Sequence, residues 1–189
     1  IELHNRPIYL KYLVNELNNK NYILYFHNDP LSMDGSKTIE ERKRLLKVCY
    51  KIIFNSNWSK KRFLEGLENK FVNSNKLTVF FQSAKKGQMS TITKKKNWIT
   101  FVGKLNKAKG YDIFVKSIKK VLKKFPNWKA KIIGDEKREK ISLNHKNADL
   151  LGFLHHDDVL KIFKNTSIAV ACSRWEEPFG RTSLEASAN

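Results

Sequence analysis

Short apolar runs alternate with amphipathic stretches along almost all of this 189-residue chain. Runs of four or five apolar residues are too short for buried helices, and they suit strands covered on both faces. The stretches between them carry apolar residues at helical spacing. Parallel strands need crossover connections long enough to hold a helix, so the alternation predicts α/β architecture built on parallel sheets. Residues 1–4 read as the end of a strand, and Leu10, Leu13, Val14 and Leu17 mark a helix. A strand over 22–26 follows. Thr38, with Glu41 three residues on, forms a capping box that opens a helix through Leu45, Leu46 and Cys49. Residues 51–54 read as a strand, Asn55 to Trp58 enter a helix carrying Phe63, Leu64 and Leu67, and 77–81 form a further strand.

Between Ser83 and Asn97 the chain turns polar and loses its period, as a linker does. Beyond it the alternation resumes. A strand is expected over 98–102, then a loop over 103–110. Phe114, Ile118, Val121, Leu122 and Phe125 place the next helix. A strand over 129–133 stops at Gly134 and Asp135, and another spans 149–153. His156 to Asp158 are expected to cap a helix carrying Leu160 and Phe163, and the last strand covers 167–171. The reading is therefore two Rossmann-like domains, 1–85 and 98–189, joined by a linker over 86–97. The chain opens on Ile1 and closes on Glu-Ala-Ser-Ala-Asn inside an expected helix, so both domains read as incomplete parts of a longer protein.

Composition narrows the class without choosing it. Hydrophobic content of 41% and aromatic content of 12% are globular values. No apolar run approaches the ~18–20 residues that span a bilayer, and no signal peptide is visible. Cys49 and Cys172 lie far apart in apolar surroundings and fit no metal or redox spacing, which reads as buried thiols in a reducing, cytoplasmic setting. A net charge of +19 suits an anionic partner: nucleic acid, the anionic inner face of a membrane, or a phosphorylated substrate. The bland alternative is compositional. Only seven of the 37 basic residues are Arg, the pattern of an AT-rich genome, and Lys116, Lys119, Lys120, Lys123 and Lys124 sit on a helix back.

Open parallel sheets bind ligands beyond the carboxyl ends of their strands, where loops feed helices. Three such loops in the second domain carry complementary chemistry. The loop from Gly103 to Gly110 is bracketed by Lys104 and Lys109, and offers either a diphosphate seat or a solvated lysine loop. The segment Glu177-Pro-Phe-Gly-Arg-Thr-Ser-Leu-Glu185 sets two carboxylates eight positions apart around a turn into a helix. They are either surface acids, or one accepts hydrogen bonds from sugar hydroxyls while the other grips a ribose diol. Backbone N–H groups of Phe179, Gly180 and Arg181 would face a phosphate. The third loop, Gly152, Phe153 and Leu154, is placed for backbone contacts to a nucleobase. His155 and His156 have the look of a metal pair, but no acid or Cys stands at ligand spacing, so no metal is expected.

Taken in order, Phe-Val-Gly-Lys-Leu-Asn-Lys-Ala-Lys-Gly110, Ile-Ile-Gly-Asp135, Leu-Gly-Phe153 and Ser-Arg-Trp-Glu-Glu-Pro-Phe-Gly180 through Glu185 resemble the donor half of retaining glycosyltransferases of family 4, which have the GT-B fold. Tyr25-Phe-His27 and Phe54-Asn-Ser56 resemble, more loosely, the latter part of that family's acceptor domain. The resemblance implies that Lys104, Lys109 and Gly103 hold a donor diphosphate, Glu177 the sugar hydroxyls and Glu185 the ribose, with His27 near the anomeric carbon. On its own residues, His27 is equally a structural histidine. His4, before Asn5-Arg6-Pro7, is a candidate for the acceptor side. The family usually has Arg where Lys104 stands, and lysine keeps the charge without the bidentate geometry.

The resemblance further implies sugar transfer from a UDP- or GDP-sugar with retention, without metal or other cofactor. A saccharide or lipid-linked acceptor is expected, as in polysaccharide biosynthesis. Two other classes stay open: a basic nucleic-acid-binding α/β domain, and an epimerase or phosphorylase of the same fold.

Overall fold

A computed structural model describes residues 1–17, 19–86 and 94–189. The expected linker, 86–97, lies largely outside the described residues. The chain divides into two compact units, one of Ile1–Gln82 with Glu177–Phe179, the other of Ser83–Glu176 with Gly180–Asn189. Each is α/β around its own parallel sheet.

In the first unit β1 (Glu2–His4), β2 (Ile23–Phe26), β3 (Lys51–Phe54) and β4 (Leu77–Val79) pair in sequence order, all parallel. Between them run α1 (Leu10–Glu16), α2 (Ile39–Val48) and α3 (Asn57–Leu64). Leu24, Phe26, Ile52 and Phe54 point into the core from alternate positions of β2 and β3, and all four are fully buried. Phe26, Phe54 and Phe63 meet with ring centroids 5.3–5.7 Å apart. Each such side chain contributes about 2–3 kcal/mol of burial free energy. The capping box forms as expected. Thr38 Oγ1 accepts from the Glu41 amide at 3.1 Å, and Glu41 accepts from the Thr38 amide at 3.0 Å.

Two expectations shift here. β4 ends at Val79, leaving Phe80 and Phe81 exposed, and α3 stops at Leu64, so Leu67 packs on the core from the loop beyond it. The buried Arg42 sets that stop. Its guanidinium donates to the carbonyls of Phe63 at 2.5 Å and Glu65 at 2.7 Å, closing the open carbonyl end of α3.

The second unit holds β5 (Lys96–Val102), α4 (Tyr111–Lys124), β6 (Lys129–Ile133), β7 (Ala148–Leu150), α5 (His156–Asn165), β8 (Thr166–Val170) and α6 (Arg181–Ser187). Strand order is β7-β6-β5-β8, all parallel. The chain steps outward from β5 to β7 and then returns to the other side of β5. That reversal makes the carboxyl ends of β5 and β8 the topological switch point, where such sheets open a crevice.

The buried stripe of α4 is Tyr111, Phe114, Val115, Ile118 and Leu122, so Phe125 is a cap residue and not core. β7 stops at Leu150, short of the expected 153. α5 begins from His155 without a side-chain cap. Asp157 and Asp158 instead occupy its first turn, where negative charge meets the positive end of the helix dipole. Cys49 is buried, and desolvation pushes its thiol up to about 12. Cys172 is only half-buried, contrary to expectation, and both cysteines are free thiols.

Candidate nucleotide-sugar site

Three loops leave the carboxyl edge of the second sheet side by side. Close backbone approach between them depends on glycine. Gly134 has φ 131°, and a methyl group there would stand 1.9 Å from the Gly103 carbonyl oxygen. Backbone bonds step across the edge: the Gly103 amide donates to Ile133 O at 3.0 Å and the Gly134 amide to Gly152 O at 2.8 Å.

The loop after β5 is organised by Asn106. Its Oδ1 accepts from the Lys109 amide at 3.0 Å, its Nδ2 donates to Glu136 at 3.1 Å, and its carbonyl accepts from the Tyr111 amide at 3.1 Å. The Lys107 amide donates to Glu139 at 3.0 Å. Several of the loop's amides are therefore taken by neighbouring groups, and its positive charge comes from the lysine side chains. Glu136 is held down to about 2, chiefly by hydrogen bonds from Arg138 and then from Asn106.

The loop after β8 locks onto this one. The Arg174 amide donates to Ala108 O at 2.9 Å, and its guanidinium donates to Lys107 O at 2.9 Å. The same guanidinium forks onto Asp112, in the first turn of α4, at 2.6 and 2.8 Å. Gly110 has φ 71°, and a methyl group there would lie 1.8 Å from Cys172 O, so the loops touch main chain to main chain. Against this platform the Lys109 ammonium lies 5.0 Å from the centroid of the Trp175 ring, within cation–π range. Lys104 is exposed. The result is a pair of lysines at the switch point, one held on an aromatic face.

The remaining expected residues fall as follows. Glu185, on α6, is 9% exposed, and its Oε1 takes the Arg181 guanidinium at 2.8 Å and His156 Nε2 at 3.1 Å. Arg181 thus reaches Glu185 through its side chain. Gly152 and Phe153 lie just past β7, with Phe153 77% exposed, while Leu154 packs on the cluster of Val159, Leu160 and Phe163. Gly180 is the left-handed residue before α6, at φ 80°. Glu177 and Phe179 belong to the first unit, as His27 does. Asn106, Asp112, Arg174 and Trp175 were given no role from sequence, and His156 was read as a helix cap and as half of a metal-like pair with His155. Among the described residues, no group of three or more His, Cys, Asp or Glu could hold a metal ion.

Residues 82–189, more than half of the chain, match the family model for glycosyl transferases group 1. The chain belongs to that family. No curated protein sequence matches the chain. Among solved structures it is similar to Anabaena Alr3699/HepE in complex with UDP and glucose, at TM-score 0.70 and 17% identity, covering 99% of this chain and 56% of that one. It is similar to the pneumococcal O-GlcNAc transferase GtfA in complex with UDP and GlcNAc, at TM-score 0.68 and 16% identity, covering 94% and 38%. The E. coli trehalose-6-phosphate structure bound with UDP-2-fluoro glucose gives TM-score 0.69 at 12% identity, covering 100% and 55%. At these identities the likeness is one of fold: Rossmann-like parallel-sheet units of the GT-B type. The chain spans about half the length of HepE and less of GtfA.

Proposed function

We propose that this chain carries the donor site of a retaining glycosyltransferase of family 4, which moves a sugar from a UDP- or GDP-sugar to a saccharide or lipid-linked acceptor. The supporting observation is that the Gly152–Leu154 loop, Glu185 and the lysine loop all belong to one parallel-sheet unit. The Gly152–Phe153–Leu154 loop leads directly into α5, whose first residue, His156, touches Glu185. The lysine pair stands at β5, two strands from β7, or roughly 10 Å at ordinary strand spacing. In this reading a base sits at the β7 loop, a ribose diol at Glu185 and a diphosphate at Lys104 and Lys109.

The chemistry then needs negative charge to be stabilised on the departing diphosphate. Lys109 is fixed before the reaction by Trp175 and by the Asn106 and Arg174 bonds around it, so little reorganisation is needed as charge develops. Lys104 adds a second, freer cation, and together they meet the need without a metal ion. Retention by front-face attack requires no protein nucleophile. In this scheme Glu177 accepts hydrogen bonds from the sugar, and His27 stands near the anomeric carbon. Phe179, Gly180 and Arg181 line the turn beside the diphosphate. Among the described residues no helix is long and apolar enough to cross a membrane. The lysine-rich surface supports peripheral contact with an anionic membrane face, where a lipid-linked acceptor for polysaccharide synthesis would be found.

The test is release of UDP or GDP from its glucose or mannose conjugates, with and without saccharide acceptors, and the anomeric configuration of the product by NMR. An inverted product sinks retention. A protein that instead binds DNA with steep salt dependence and ignores nucleotide sugars sinks the donor-site reading itself.

A further inference from the structure

His27 is held from four directions inside the first unit. Its amide donates to Asn5 Oδ1 at 2.7 Å, and its carbonyl accepts from Asn55 Nδ2 at 2.8 Å. Its ring nitrogens meet two side chains: Nε2 lies 2.9 Å from His4 Nδ1, and Nδ1 lies 3.1 Å from Gln82 Nε2. β1 and β2 pair with His4 opposite Tyr25, so His4 and His27 emerge together at neighbouring strand ends. The His4 ring stacks on Tyr25 at 4.5 Å between centroids, and is nearly coplanar with the His27 ring, at 7°.

These contacts have a direction. A carboxamide nitrogen only donates, so Gln82 Nε2–H gives its hydrogen to His27 Nδ1. A neutral imidazole with an accepting Nδ1 carries its proton on Nε2. His27 Nε2–H therefore donates to His4 Nδ1, and the His4 proton sits on its own Nε2. That atom faces Glu2 Oε2 at 3.9 Å, an acceptor. At 3.9 Å the Glu2 carboxylate is beyond hydrogen-bond reach, so the polarity of the row is set at its Gln82 end.

We infer that His4 and Gln82 are positioning residues for His27, and that they hold its imidazole as the Nε2–H tautomer with the ring plane fixed. The tautomer stands independently of the glycosyltransfer reading, while its bearing on turnover rests on that reading. A sugar near this ring then meets one defined arrangement of donor and acceptor instead of an equilibrium between two.

Two-bond ¹H–¹⁵N spectra of the intact ¹⁵N-labelled protein test the tautomer directly. The wild-type protein should show His27 protonated at Nε2 and bare at Nδ1. Gln82→Glu places a carboxylate against Nδ1 and should reverse the tautomer, with the proton moving to Nδ1. A wild-type proton on Nδ1, or a tautomer indifferent to Gln82→Glu, overturns the proposal. For the role in turnover, His4→Phe keeps a ring on Tyr25 but removes the acceptor. His4→Phe and Gln82→Glu should each lower kcat by roughly 10- to 100-fold at little-changed donor KM. Unchanged kcat in both variants overturns the positioning role, even if the tautomer moves. If the wild-type protein turns over none of the UDP-, GDP- and ADP-sugars, glycosyltransfer falls, while the spectra still decide the tautomer.

Discussion

Arg174 closes on Asp112 through two near-parallel hydrogen bonds of 2.6 and 2.8 Å, joining the loop after β8 to the first turn of α4. The pair spans the switch point of the second sheet and holds the platform on which Lys109 and Trp175 meet. Arg174→Lys keeps the charge but loses the planar fork, so it should restore only part of what Arg174→Ala removes. The expected outcome is an unchanged far-UV circular dichroism spectrum with weakened UDP-sugar affinity, in the order wild type, Lys, Ala. Equal affinity in all three contradicts the role given to the clasp.

The same pair sets a pH window. Asp112 has an ordinary carboxyl value of 3.8 and is held down to about 2, first by the hydrogen bonds from Arg174. Its folded value lies below its unfolded one, so the contribution is fully present above the unfolded value and is lost as pH falls from about 4 towards about 2. Urea midpoints of wild type and Asp112→Asn should differ at about pH 5 and converge as the pH approaches 2. A gap that stays constant over that range contradicts the assignment.

Two glycines predict opposite severities. Gly134→Ala sets a methyl group 1.9 Å from a main-chain oxygen that cannot swing aside, and should cost about 3 kcal/mol or more. Gly152 has φ 66° but open space around it, so Gly152→Ala should cost only the left-handed penalty of about 1–2 kcal/mol. Urea titration of both variants ranks them.

Lys109→Ala should remove ~2–4 kcal/mol of transition-state stabilisation, roughly 30- to 1000-fold in kcat/KM. Trp175→Leu removes the aromatic face while leaving the charge, and should cost less. Undiminished turnover of Lys109→Ala would sink the diphosphate assignment.

Features whose partners lie within a turn or two were legible in the sequence. The Thr38–Glu41 box closes between residues three apart, and the strands of both units show locally as short apolar runs. Element ends drifted where tertiary contacts decide them. Arg42 caps α3 from a different helix, and Phe125 left the α4 stripe because the helix ends at Lys124 and Phe125, its cap residue, has left helical geometry. The site was legible in part, because loops after strands can be placed by order alone. Its supports were not. Arg174 meets Asp112 from 62 residues away, His4 meets His27 from 23 and Asn106 meets Glu136 from 30. Such pairs follow from strand order and register, which no local pattern encodes. His156 was weighed as a helix cap and as a metal ligand beside His155, and its contact with Glu185 depends on α6 packing against α5.

Calorimetric titration of the intact protein with UDP-, GDP- and ADP-glucose, repeated with Glu185→Ala and Lys109→Ala, tests the donor site most directly. The account predicts that at least one of these binds the wild-type protein, and that each substitution weakens binding tenfold or more, by about 1.4 kcal/mol. Binding that neither substitution alters, or no binding to any of the three, would contradict it.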